Sequence, residues 1–78
     1  MLLLKIISPE QVLFKGEVEK VTLPGTLGLF MVLENHAPLA STLLPGHIVY
    51  TGREGEQTVS IRGGVVNVVD NEVIVCVE

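Results

Sequence analysis

Seventy-eight residues, 47% apolar and 18% charged, make one small folded domain rather than a disordered segment. A chain this short buries only roughly 60–65% of its extended surface, so modest stability is expected. A net charge of −4, with five scattered basic residues, argues against nucleic acid as a partner, because phosphate binding needs clustered lysine and arginine.

The chain opens on Met1-Leu2-Leu3-Leu4, which resembles the start of a signal core. Lys5 interrupts it and Ser8-Pro9 ends it, too early for a signal core or a membrane span, so a first strand over Leu2–Ile7 is expected. Ser8 to Gln11 turns the chain, since proline fixes φ and donates nothing to a ladder. Val12–Phe14 is a short strand, and Gly16 separates it from a strand over Glu17–Leu23. In that strand the apolar period slips between Val18 and Val21, which predicts a bulge near Glu19-Lys20.

Pro24-Gly25 fits the two central positions of a type II turn. The run Leu27–Leu33 that follows is apolar on both strand faces. Leu29, Met31 and Leu33 share one face, and Phe30 and Val32 the other. A small sheet protein has one interior, so the second face of such a strand needs another layer or another protein. The polar knuckle Glu34-Asn35-His36 leads into Ala37-Pro38 and a strand over Leu39–Leu43.

Pro45-Gly46 gives a second turn, His47–Thr51 a strand, and Gly52 to Gly55 a polar hairpin loop. Gln57–Val69 reads as one long strand with Val59 and Ile61 on one face and Val66 and Val68 on the other. Gly63-Gly64 marks the switch, where a bend or a close backbone approach is expected. Asp70-Asn71 makes a two-residue hairpin turn, since both residue types tolerate positive φ. Val73–Val77 is a last, nearly continuous apolar strand, expected to be buried on both faces.

No window repeats apolar residues at helical spacing without a breaker, and eight glycines and four prolines punctuate runs rich in valine and isoleucine. The expected fold is all-β: about 8–10 short antiparallel strands closed into a two-sheet sandwich or flattened barrel.

Signals for bond chemistry are weak. His36 and His47 have no carboxylate or thiol at metal-ligand spacing, and neither Gly25 to Gly28 nor Arg62-Gly63-Gly64 opens a helix as a phosphate loop does. Glu34 and His36 form a conceivable base and orienter. A surface knuckle in which His36 caps a loop carbonyl, or touches a partner, is the commoner arrangement. Cys76 is the one cysteine; it precludes an internal disulfide, fits a reducing compartment, and lies among valines as a small buried hydrophobe. Glu17-Val18-Glu19 reads as a solvated strand surface. No cofactor or metal is expected.

These residues together resemble the epsilon subunit of the F-type ATP synthase. The motifs are Ile7-Ser8-Pro9-Glu10, Phe14-Lys15-Gly16 with Val18 to Val21, Pro24-Gly25-Thr26-Leu27-Gly28, His36-Ala37-Pro38-Leu39, Pro45-Gly46, and Gly63-Gly64 followed by Val65 to Val68. They run in order over nearly the whole chain. Many members of that family carry polar or glycine-containing sequence where this chain has Leu29-Phe30-Met31, and they tend to have Pro-Gly where it has Glu34-Asn35, so a partner contact through these residues is expected to be more apolar here and the knuckle differently shaped.

The resemblance implies a non-catalytic rotor subunit of the central stalk, joining the gamma subunit to the membrane c-ring. It implies contacts through Leu29, Phe30, Met31, Leu33, Glu34, Asn35, His36, Ala37, Pro38 and Leu39, no small-molecule substrate, and a monomer when isolated. It places the chain on the cytoplasmic face of the plasma membrane, held there only through the complex. The family's helical hairpin, with its brake on hydrolysis and its nucleotide site, is expected to be missing from a single domain spanning residues 1–78. Two other readings stay open: a free-standing sandwich that binds peptides by edge-strand addition, and a small hydrolase using Glu34 and His36.

Overall fold

Strict alternation decides which side of each strand turns inward. Leu2, Leu4 and Ile6 are fully buried while Leu3, Lys5 and Ile7 between them are not. The computed structural model describes all 78 residues, and they form nine strands and no helix. In chain order these are β1 (Leu2–Ile7), β2 (Val12–Val18), β3 (Lys20–Gly25), β4 (Gly28–Leu33), β5 (Leu39–Leu43), β6 (Gly46–Gly52), β7 (Gly55–Ile61), β8 (Gly64–Val69) and β9 (Glu72–Val77).

One sheet runs β2-β1-β9-β8-β5 and the other β4-β3-β6-β7. A single residue pair, Gly25 with Leu43, joins them into one curled sheet. At the far end Glu19 N–H donates to the Thr51 carbonyl at 2.7 Å, and the Phe14 and Tyr50 rings lie 4.3 Å apart. Sixteen buried side chains fill the space between the layers. The all-β sandwich expected from the sequence is present.

Several local expectations are corrected. The strands are not all antiparallel: β1 and β9 pair in parallel, Leu4 against Val73 and Ile6 against Val75. These are the first and last strands, so no tight turn dictates their relative direction. Gly16 does not break β2. It pairs with Leu4 mid-ladder, and a Cβ there would meet the Phe14 ring at 3.0 Å, so glycine leaves room for that ring. The slip between Val18 and Val21 is instead a bend at Glu19, where the chain leaves one sheet for the other.

Pro24-Gly25 is not the turn. Both residues lie in β3, opposite Leu29 and Gly28, and the reversal falls at Thr26-Leu27. Gly25 is required for space, since a Cβ there would lie 2.8 Å from the Phe30 ring. The long strand expected over Gln57–Val69 is two strands, β7 and β8, broken at Arg62-Gly63. The break moves the chain between sheets, so Val59, Ile61, Val66 and Val68 all face one core. The close approach expected at this glycine pair is present, for an added Cβ on Gly64 would lie 2.2 Å from the Cys76 carbonyl oxygen.

The last strand is not buried on both faces. Val73, Val75 and Val77 point into the core, whereas Ile74 and Cys76 point out and are exposed. Cys76 is therefore no buried hydrophobe. The nine strands enclose one interior, and nothing in the chain covers the outer side of β9. The Asp70-Asn71 turn matches its expectation: φ is 49° and 62°, both left-handed, and Val69 pairs with Glu72 across it.

Tyr50, the one tyrosine, closes the far end of the core. Burial raises its phenol pKa above the usual value near 10. The folded chain thus holds this proton to higher pH than the unfolded chain. Its contribution is complete below the unfolded pKa and is lost as pH rises through the folded one. A Tyr50→Phe variant should lose less stability than the parent between neutral pH and strongly alkaline pH, read by denaturant melts. Equal losses would show that this phenol is not the alkaline weak point.

Candidate functional site

β4 pairs with β3 along its whole length and has no neighbour on its other edge. Its alternation splits the apolar run as the sequence requires. Val32 is fully buried and Phe30 packs against the core. Leu29, Met31 and Leu33 stand outward with 76%, 47% and 51% of their surface exposed. Their cross-strand partners on the same face are Pro24, Thr22 and Lys20. The result is an apolar stripe on an open sheet edge. Exposed apolar area of this kind marks an interaction surface when it is contiguous.

The knuckle that follows is a tight turn. His36 N–H donates to the Leu33 carbonyl at 3.1 Å, and Asn35 takes φ 65°. Positive φ at the second central residue alone is the type II pattern. His36 Nδ1 lies 2.7 Å from the Ala37 carbonyl oxygen. A carbonyl only accepts, so Nδ1 carries the proton in this arrangement. The Glu34 carboxylate meets the Met1 ammonium at 2.9 Å. Glu34 and His36 are each bonded elsewhere, and no hydrogen bond joins them. Ala37 and Pro38 are exposed in the loop, and Leu39 leaves it to pack against the core.

A shallow groove of about 370 Å³ lies between β4 and β5. Leu29, Phe30, His36 and Leu39 line it together with Leu27, which is fully exposed. The ten residues singled out in the sequence therefore divide into three parts. Leu29, Phe30, His36 and Leu39 meet in the groove, Met31 and Leu33 continue the outer stripe, and Glu34, Asn35, Ala37 and Pro38 form its tip. No cluster of three or more histidine, cysteine or acidic side chains is placed to hold a metal ion.

A second apolar surface was missed in the sequence. On the outer face of the other sheet, Val65 is 50% and Ile74 37% exposed, beside Ala40, Thr42 and Cys76. They line a trough of about 520 Å³. The signal was present in Val73–Val77, which is as doubly apolar as Leu27–Leu33. The same requirement for a second layer applied to both, and the fold supplies that layer to neither.

Fold and site together define a small β-sandwich protein with bare apolar strips on both sheets. All of residues 1–78 match the ATP synthase delta/epsilon chain β-sandwich domain, and the chain belongs to that family. It is 44% identical over 68 residues to the ATP synthase epsilon chain of Leptospira borgpetersenii, covering 87% of this chain and 54% of that protein. It is 41% identical over 63 residues to the epsilon chain of Rhodopseudomonas palustris strain BisB5, covering 81% and 47%. The chain thus spans about half the length of the curated relatives it matches.

Among solved structures it is similar to a chain of the Euglena gracilis mitochondrial ATP synthase (OSCP, F1 and c-ring). The TM-score is 0.90 at 24% identity, over 97% of this chain and 49% of that one. A central stalk and c-ring structure from Tetrahymena thermophila gives 0.82 at 14% identity, over 97% and 62%. At these identities the structural likeness speaks for the fold.

Proposed function

We propose that residues 1–78 are a single epsilon-type sandwich domain acting as a non-catalytic rotor element of the F1Fo ATP synthase central stalk. It joins the gamma subunit to the c-ring on the cytoplasmic face of the plasma membrane. It is held at the membrane only through the complex, uses no cofactor and is a monomer when isolated. The observation that carries this reading is the outward stripe Leu29-Met31-Leu33 on the free edge of β4, in a chain whose family is that of the delta/epsilon sandwich. Bare apolar surface on both sheets suits a part lodged between two neighbours.

Burying each of the three side chains is worth roughly 1.5–3 kcal/mol in transfer terms. Association and ordering costs offset much of that. The role is mechanical: the sandwich transmits torque by filling a space, with no bond made or broken in it.

The open edge of β4 also suits strand addition by a peptide, which is the second reading. Co-expression with the gamma subunit of the same organism separates the two. A complex that survives size-exclusion chromatography is expected. A free monomer with no affinity for gamma or for the ring favours the peptide-binding reading.

A further inference from the structure

The turn Leu33–His36 has neither proline at its first central position nor glycine at its second, the residues that would fix a type II turn by themselves. Asn35 sits at φ 65°, a left-handed conformation that asparagine tolerates but fixes less firmly than a Pro-Gly pair would, so outside support adds to its order. The support comes from a residue 36 positions away. Asn35 N–H donates to Asn71 Oδ1 at 2.6 Å, and Asn71 Nδ2 donates to Asn35 Oδ1 at 3.3 Å. Asn71 is itself fixed, since it occupies the left-handed turn between β8 and β9 and its carbonyl accepts from Leu3 N–H at 2.9 Å.

We propose that Asn71 is a positioning residue for the partner-binding knuckle: through its paired bonds to Asn35 it sets the direction in which Glu34 and His36 are presented. The turn between β8 and β9 thereby becomes a working part of the contact surface, although it lies in the other sheet. This rests on the rotor reading above. The clasp matters because the turn's own closing bond, His36 N–H to the Leu33 carbonyl, is not backed by a proline or a glycine; a loose knuckle must be ordered at the moment of binding, and that ordering lowers affinity.

The test compares four chains: the parent, Asn71→Gly, the double variant Glu34→Pro/Asn35→Gly, and the triple variant. Glycine at 71 keeps the positive φ of its turn and removes only the side-chain amide. Affinity is measured for the cognate gamma–c-ring rotor assembled without this chain. In the free chain, hydrogen exchange reads the Asn35 and His36 amides.

Asn71→Gly should weaken rotor binding about tenfold, the worth of one to two hydrogen bonds, and should speed exchange at both amides. With Glu34→Pro/Asn35→Gly in place the turn is locked by its own residues, and Asn71→Gly should change affinity less than about twofold. Equal loss in both backgrounds would mean that Asn71 touches the partner or only supports the fold, and would overturn the proposal. So would unchanged binding by Asn71→Gly. If Glu34→Pro removes binding on its own account, exchange at the His36 amide in the four free chains carries the same comparison. A parent chain that ignores the rotor counts against the stalk reading; the clasp is then judged by Asn35 protection, and an unprotected Asn35 amide refutes it.

Discussion

Met31→Glu should weaken binding to the rotor by about two to three orders of magnitude while the isolated chain melts within a few degrees of the parent. Met31 stands between Leu29 and Leu33 on the outer side of β4, and about half of its surface already meets solvent. Its partner across the ladder is Thr22, so a carboxylate there displaces no core contact. Surface changes of this kind usually shift stability by no more than about 0.5 kcal/mol. In a desolvated interface the same change removes the burial of the exposed half of Met31, roughly 1–1.5 kcal/mol, and adds the larger cost of an unpaired charge. Together these reach about 3–4 kcal/mol, which is the stated loss of affinity. Isothermal titration of the variant against the cognate gamma subunit, beside a thermal melt of the chain alone, reads both numbers. A melt lowered by tens of degrees would place Met31 in the core; unchanged binding would remove this face from the interface.

Gly64→Ala should be the most damaging single methyl group in the chain. The added carbon would lie 2.2 Å from the Cys76 carbonyl oxygen and 3.0 Å from Val77 Cα, both backbone atoms that cannot rotate away. Gly64 also takes φ 154°, where an L side chain is strained. Steric overpacking and backbone strain each cost about 1–3 kcal/mol. Their sum, about 2–6 kcal/mol, is a large fraction of what a small domain possesses. At about 4–8 °C per kcal/mol for a domain this size, the melting point should fall by about 8 °C at the least and by several times that at the most. Gly55→Ala is the control: its φ is 99°, but no atom lies within 4 Å of the added carbon, so only the strain is felt. Circular dichroism melts of the two variants should separate clearly. Equal melting points would mean that β8 and β9 can slide apart at little cost.

Where the sequence was sufficient, the reason is local. The period-two alternation separates Leu29, Met31 and Leu33 from Phe30 and Val32 without knowledge of any neighbour, and the structure keeps that division. The bounds of β1 and β5 and the Asp70-Asn71 turn follow from equally local rules. The failures turn on side-chain packing and topology, which strand period does not carry. Gly16 and Gly25 look like breaks because a sequence does not reveal the Phe14 and Phe30 rings that need the room. The parallel pairing of β1 with β9 joins the two ends of the chain, and no local signal encodes it. Cys76 looked buried because its neighbours are valines; only the topology tells which apolar face lacks a covering layer. The candidate site divides likewise. Its stripe was legible, whereas the groove shared by Leu29, Phe30, His36 and Leu39, and the bond from Asn35 to Asn71, exist only after folding.

The most direct measurement is oxidative footprinting of Met31, in the free chain and in the chain assembled with the gamma subunit and c-ring. Val12 and Leu13, exposed on the edge strand β2 of the other sheet, serve as internal references. Met31 should be labelled readily in the free chain and strongly protected in the assembly, with the references little changed. Equal labelling of Met31 in both states would contradict the claim that this chain works by burying its β4 face against a rotating partner.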